Sequence, residues 1–159
     1  MRCTIHLATA QDVANVLIGH KPWSQDTENN RHWLDALLEA CAMSRQVWTA
    51  ANADDEPLAF IGAAPSPDDS DCGRLWFVIL EAYDGNDADL KSVMRLTVVE
   101  MLQVFTALEN HVTAEKAWAL ELMRDAGFTV EPALASPDGV CRHRVWIDAD
   151  SAGATFSTA

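Results

Sequence analysis

Apolar residues along this chain change their spacing between two periods, and the changes mark out its elements. Cys3 to Ala8 (CTIHLA) holds Thr and Ile and predicts a first strand. Thr9, with Asp12 three residues on, offers a capping-box start; Val13, Val16 and Leu17 then form a short helix face that ends at Gly19. Residues 20–30 are polar and contain Pro22, which predicts a loop. From Asp26 or Thr27 to Met43 the residues Trp33, Leu34, Leu37, Leu38 and Cys41 recur at helical spacing, the stripe of a core-facing helix. Arg45 to Ala51 and Leu58 to Ala63 read as two strands joined by the turn-forming Asn52 to Glu56. A polar loop is expected from Ala64 to Gly73. Arg74 to Leu80 (RLWFVIL) is a near-continuous apolar run, as in a central strand covered on both faces.

The second half follows the same logic. Leu90, Val93, Met94, Val98, Met101 and Phe105 predict the buried side of a helix from Ala88 to Phe105. A short strand, Ala107 to Val112, leads to a helix from Ala114 to Ala126 that stops at Gly127-Phe128. Phe128 to Pro132 and Val140 to Asp148 are expected as the closing strands. Residues 149–159 are small and polar and predict a flexible tail, disordered or held by a partner. The order is β-α-α-β-β-β-α-β-α-β-β. Its natural solution is an α/β (α+β) fold in which a mixed, mostly antiparallel sheet carries helices on both faces. Residues 1–148 then form one domain.

Composition narrows the functional classes. The 159 residues include 49% hydrophobic positions, enough for a substantial core. The formal net charge is −13, from 24 acidic and 11 basic residues. No basic face is available to neutralise phosphates, so nucleic acid is not an expected partner, and anionic membrane surfaces are disfavoured for the same reason. Cys3, Cys41, Cys72 and Cys141 are widely spaced, which predicts reduced and mostly buried thiols, with Cys72 the most exposed. No apolar run approaches the ~20 residues that span a bilayer, and the N-terminus lacks a signal-type apolar segment. The five histidines are dispersed without metal-ligand spacing, so no metal site is expected.

The element order, the opening Ile5, Ala8-Thr9 and Asp12, and the Leu122 to Phe128 segment (LMRDAGF) together resemble the GCN5-related N-acetyltransferase fold. The resemblance covers residues 1 to about 148. A narrower similarity rests on Pro57 to Ala63 (PLAFIGA), Leu75 to Val78 (LWFV) and Leu108 to Val112 (LENHV). These look like the small acyltransferase-like proteins of phage genomes, among them the internal virion protein A family.

What the resemblance implies can be tested residue by residue. It places a phosphate-binding loop of acetyl-CoA after the central strand, with glycines and a basic residue opening the next helix. This chain has Asp84, Gly85, Asn86, Asp87, Ala88 and Asp89 there: one glycine, no cation and three carboxylates that oppose an anion. Lys91 lies one turn further on. In the last helix the position usually held by Asn is Lys116. The position usually held by a Tyr acid is Met123, which has no proton to give. Glu81 is the best-placed general base, followed by Glu109 and His111 on the neighbouring strand. Asn110 is expected to bridge splayed strands. Arg142, His143 and Arg144 form the one local basic cluster and are expected to meet the surrounding acidic excess.

These departures favour a non-catalytic, acyltransferase-like phage protein with no cofactor. It would be a virion-associated or assembly component, located in the virion or the host cytoplasm and bound to other phage structural proteins or to a host protein. The alternative is an active N-acetyltransferase that uses acetyl-CoA through an atypical donor loop.

Overall fold

The computed structural model describes residues 3–19, 33–80, 83 and 87–152. The elements are β1 (Thr4–Leu7), α1 (Ala10–Gly19), α2 (Trp33–Met43), β2 (Gln46–Ala51), β3 (Pro57–Pro65), β4 (Cys72–Ile79) and α3 (Asp87–Met101). They continue with β5 (Ala107–Thr113), α4 (Ala117–Asp125), β6 (Thr129–Val130), β7 (Leu134–Ala135) and β8 (Cys141–Asp148). One sheet runs in the order β1-β2-β3-β4-β5-β8-β6, with β7 also paired to β8. Every pairing is antiparallel except β4 with β5. The predicted mixed, mostly antiparallel sheet is therefore the observed one.

Alternation along the central strands separates two cores. Ile61, Leu75 and Ile79 face α3 and α4, where they meet Met94, Val98, Met101 and Met123. Phe60 and Leu80 face the other way and join Val13 of α1, Cys41 of α2 and Val47. β4 is central and feeds both cores: Trp76 and Val78 pack on the α1/α2 side. Trp76 can lie flat across β3 because its cross-strand partner is Gly62. Its indole Nε1 donates to Ser44 Oγ at 2.7 Å, which satisfies the ring's one polar group.

The start of α1 and the end of α4 follow the sequence signals closely. At α1 the Thr9 N–H donates to Asp12 Oδ2 (3.0 Å) and the Asp12 N–H donates to Thr9 Oγ1 (3.1 Å), a reciprocal capping box. The bond from the Thr9 backbone holds the Asp12 carboxyl below its ordinary range. At the end of α4, Gly127 has φ +96°. Its N–H donates to the Arg124 carbonyl (3.0 Å) and the Phe128 N–H donates to Met123 (3.0 Å), a Schellman closure with Phe128 buried against the core. Arg95 of α3 donates through Nε and Nη2 to the Asp125 carbonyl, closing a further exposed acceptor of that helix end.

Several boundaries differ from expectation. The loop expected from Ala64 to Gly73 is shorter, because Ala64 and Pro65 pair with Arg74 and Gly73 and extend the hairpin. The helix expected to reach Phe105 ends at Met101, and Phe105 is held in the following turn by its N–H bond to the Met101 carbonyl. α4 starts at Ala117, three residues late, because the Lys116 N–H is taken by the Thr113 carbonyl in a tight turn. β7 falls in the stretch expected as a loop between the closing strands. Residues 149–152, expected in the tail, form a helical turn: the Ser151 N–H donates to Asp148 Oδ1 (2.7 Å) and Ala152 is buried. Residues 153–159 and the expected start of the second helix lie outside the described residues. Cys141, not Cys72, is the exposed thiol; Cys72 and Cys3 are half-buried, and only Cys41 is buried. Burial pushes the Cys41 thiol up to about 11.

Candidate active site: an opening between two parallel strands

β4 and β5 pair over three positions only: Cys72 with Ala107, Gly73 with Leu108 and Arg74 with Glu109. Past that point the two strands part. β4 continues along β3 as far as Ile79, and β5 continues along β8 as far as Thr113. Each inner edge is thereby left with backbone groups that no neighbouring strand satisfies. Asn110 does not bridge the gap. Its side-chain Oδ1 instead accepts the N–H of His111 on its own strand, at 2.7 Å. An amide that β4 would otherwise have paired is thus satisfied locally, which is compatible with an open sheet.

The opening is a cleft of about 190 Å³. One wall is Trp76 and Phe77 of β4; the other is Asn110 to Thr113 of β5. Lys116, Trp118 and Ala119 close it from the start of α4. Phe77 and Trp118 meet edge to face, with centroids 6.0 Å apart and rings at 81°, so α4 is wedged against β4.

Leu108 and Val112 of β5 are buried in the core, so Glu109, His111 and Thr113 point to the opposite face. Glu109 and His111 meet different surroundings there. Glu109 is 16% exposed, and its Oε2 accepts from Arg144 Nη2 at 3.2 Å. Ser66 Oγ lies 3.4 Å from its Oε1. Arg144 also holds Glu131, at 2.8 Å, and its guanidinium lies over the Trp146 ring. The His111 ring is exposed and hydrogen-bonds to none of the described residues.

The basic cluster is absorbed as expected: Arg142 pairs with Asp138 at 3.0 Å, Arg144 with two glutamates, and His143 Nδ1 lies 2.7 Å from the Glu131 carbonyl oxygen. Cys72 lies at the paired start of β4, opposite Ala107. Its thiol is pushed up by burial first and by the nearby Glu109 and Asp69 carboxylates second.

Of the residues singled out from the sequence, the fold brings Asn110, His111 and Lys116 to this cleft. Met123 is not part of it: it is fully buried in the core on the α3/α4 side. Glu81, Asp84, Gly85 and Asn86 lie outside the described residues. Asp87 is the first residue of α3, Ala88 is exposed and Asp89 half-buried. Lys91 Nζ is 2.9 Å from Asp125 Oδ2, so this lysine ties α3 to α4. Sequence reasoning missed Phe77 and Trp118 as cleft residues, since at helical or strand spacing both read as ordinary core. It also missed the bond between Glu109 and Arg144, 35 positions apart.

No family model matches this sequence, and no curated protein matches it either. Solved structures do match, over essentially the whole chain. The aminoglycoside acetyltransferase AAC(6')-Ib, solved with ribostamycin and coenzyme A, aligns with a TM-score of 0.73 and 16% identity and covers 100% of both chains. The dodecameric spermidine N-acetyltransferase of Vibrio cholerae aligns with a TM-score of 0.66 and 12% identity, covering 99% of this chain and 98% of that one. At such identities the likeness is one of fold: the chain has the GCN5-related N-acetyltransferase fold. The narrower resemblance to phage virion proteins has no counterpart among these structures.

Proposed function

We propose that this protein is an N-acyltransferase that uses acetyl-CoA, with the donor seated between β4 and β5. The observation that carries this reading is the parting of the two parallel strands after Arg74 and Glu109. An extended chain containing amides can hydrogen-bond to strand edges left open in this way, as an added strand does. The lining fits such a chain: apolar Phe77 and Trp118 beside polar Asn110, Thr113 and Lys116. When bound, acetyl-CoA supplies an activated acyl thioester.

This chain's own residues would orient the acceptor and manage its proton. An amine must be neutral to attack, and His111, exposed on the cleft wall, is the group we assign to take its proton. Glu109 is engaged by Arg144 and Ser66 at the last paired position before the strands part. The matched structures are named for aminoglycoside and spermidine acetylation. A net charge of −13 would likewise draw cationic amines toward the protein.

The competing reading is a non-catalytic virion or assembly component that binds phage or host proteins. It is favoured by Met123, which offers no proton donor at the position the resemblance gives to a catalytic tyrosine. Thiol release separates the two. Acetyl-CoA incubated with the protein and a panel of polyamines and aminoglycosides should yield free thiol above background, and His111→Ala should lower the rate by about a hundredfold. Background thiol release with every amine at millimolar acetyl-CoA would favour the non-catalytic reading.

A further inference from the structure

The donor reading leaves a charge problem whose resolution lies in the cleft itself. Coenzyme A is a polyanion, and this chain carries a net charge of −13. The stretch where the family resemblance calls for a cation holds Asp84, Asp87 and Asp89 instead. The first cation beyond it, Lys91, lies 2.9 Å from Asp125, and Arg95 donates to the carbonyl of the same residue. Both therefore serve the contact between α3 and α4.

Among the described residues that line the cleft, Lys116 is the one lysine or arginine. Its place in the chain is also suitable. β4 and β5 run parallel, so their C-terminal ends lie at the same edge of the sheet. β4 leads from that edge into α3, and β5 leads from it through Thr113 to Lys116 and α4. A chain lying in the cleft with its uncharged end toward the closed base at Arg74 and Glu109 would emerge at that edge, beside Lys116. A cation there acts on an anion at short range, where the distant acidic excess is screened by salt.

We infer that Lys116 is the phosphate-anchoring residue of this protein and replaces the missing basic residue of the loop before α3. The inference rests on the donor reading above, and the test separates the two. Calorimetric titrations would compare coenzyme A with pantetheine, which has the same amide arm and no phosphate. The proteins are the wild type, Lys116→Ala, Lys116→Arg and, as a charge-matched control at the far end of the same helix, Arg124→Ala. Thermal melts confirm that each variant is folded.

Lys116→Ala should weaken coenzyme A about tenfold and leave pantetheine within about twofold. Lys116→Arg should retain most of the affinity, and Arg124→Ala should match the wild type. The salt dependence of coenzyme A binding should be shallower in Lys116→Ala, because one ion contact has been removed. Equal coenzyme A affinity in Lys116→Ala and wild type would overturn this inference alone. An equal loss of both ligands would also overturn it, by showing that Lys116 shapes the cleft rather than holding phosphate. A wild-type protein that takes up neither ligand would overturn the donor reading and this inference with it.

Discussion

Glu109 and His111 are two positions apart on one face of β5, and their neighbours give them different work. A carboxylate held by Arg144 at 3.2 Å and approached by Ser66 is poorly placed to collect a proton, whereas the imidazole beside it is exposed at the cleft. The sequence brings both forward as candidates, and it has no means of ranking them. The ranking depends on Arg144, which reaches Glu109 only because β8 lies next to β5. Trp76 shows the same limit. Its indole rests on Gly62, where a Cβ would come within 2.7 Å of Nε1 and closer to the ring carbons. The bond from Nε1 to Ser44 keeps the ring from moving aside. Gly62→Ala should therefore destabilise the fold by about 1–3 kcal/mol, the usual range for overpacking, as measured by urea denaturation. An unchanged midpoint would mean that the ring has room to shift.

At the level of elements, α4 sets one side of the cleft, and its two ends differ in how well they can be read from sequence. Its C-terminus is legible because a left-handed residue is needed there and Gly127 supplies it, with φ +96°. Gly127→Ala should cost about 1 kcal/mol and lower Tm by about 2–4 °C in a scanning melt, since alanine is strained at positive φ. No shift in Tm would contradict the Schellman account. The N-terminus is less legible, because Lys116 provides no side-chain cap and the start is set by a backbone bond to Thr113. β6 and β7 have two residues each and exist by pairing with β8, which composition does not encode. The long, strongly patterned strands β3 and β4 were readable from sequence, since their alternation feeds two cores at once.

For the molecule as a whole, the decisive feature is one incomplete pairing in an otherwise continuous sheet. Three paired positions between β4 and β5 hold the two halves together, and the remainder of each inner edge borders the cleft. The sequence points to the fold through element order. It does not show where parallel strands part, because the parting reflects which outer neighbour each strand follows. The acidic composition, read alone, argues against an anionic cofactor; the role we propose for Lys116, which lines the cleft, would offset that argument locally. Acetyl-CoA is proposed to enter this opening, and chemical-shift mapping of the amide-labelled protein during a coenzyme A titration would locate its binding site. Saturable shifts should concentrate at Trp76 to Ile79 and from Asn110 to Ala119. Shifts that cluster elsewhere, or none at millimolar coenzyme A, would contradict the proposal.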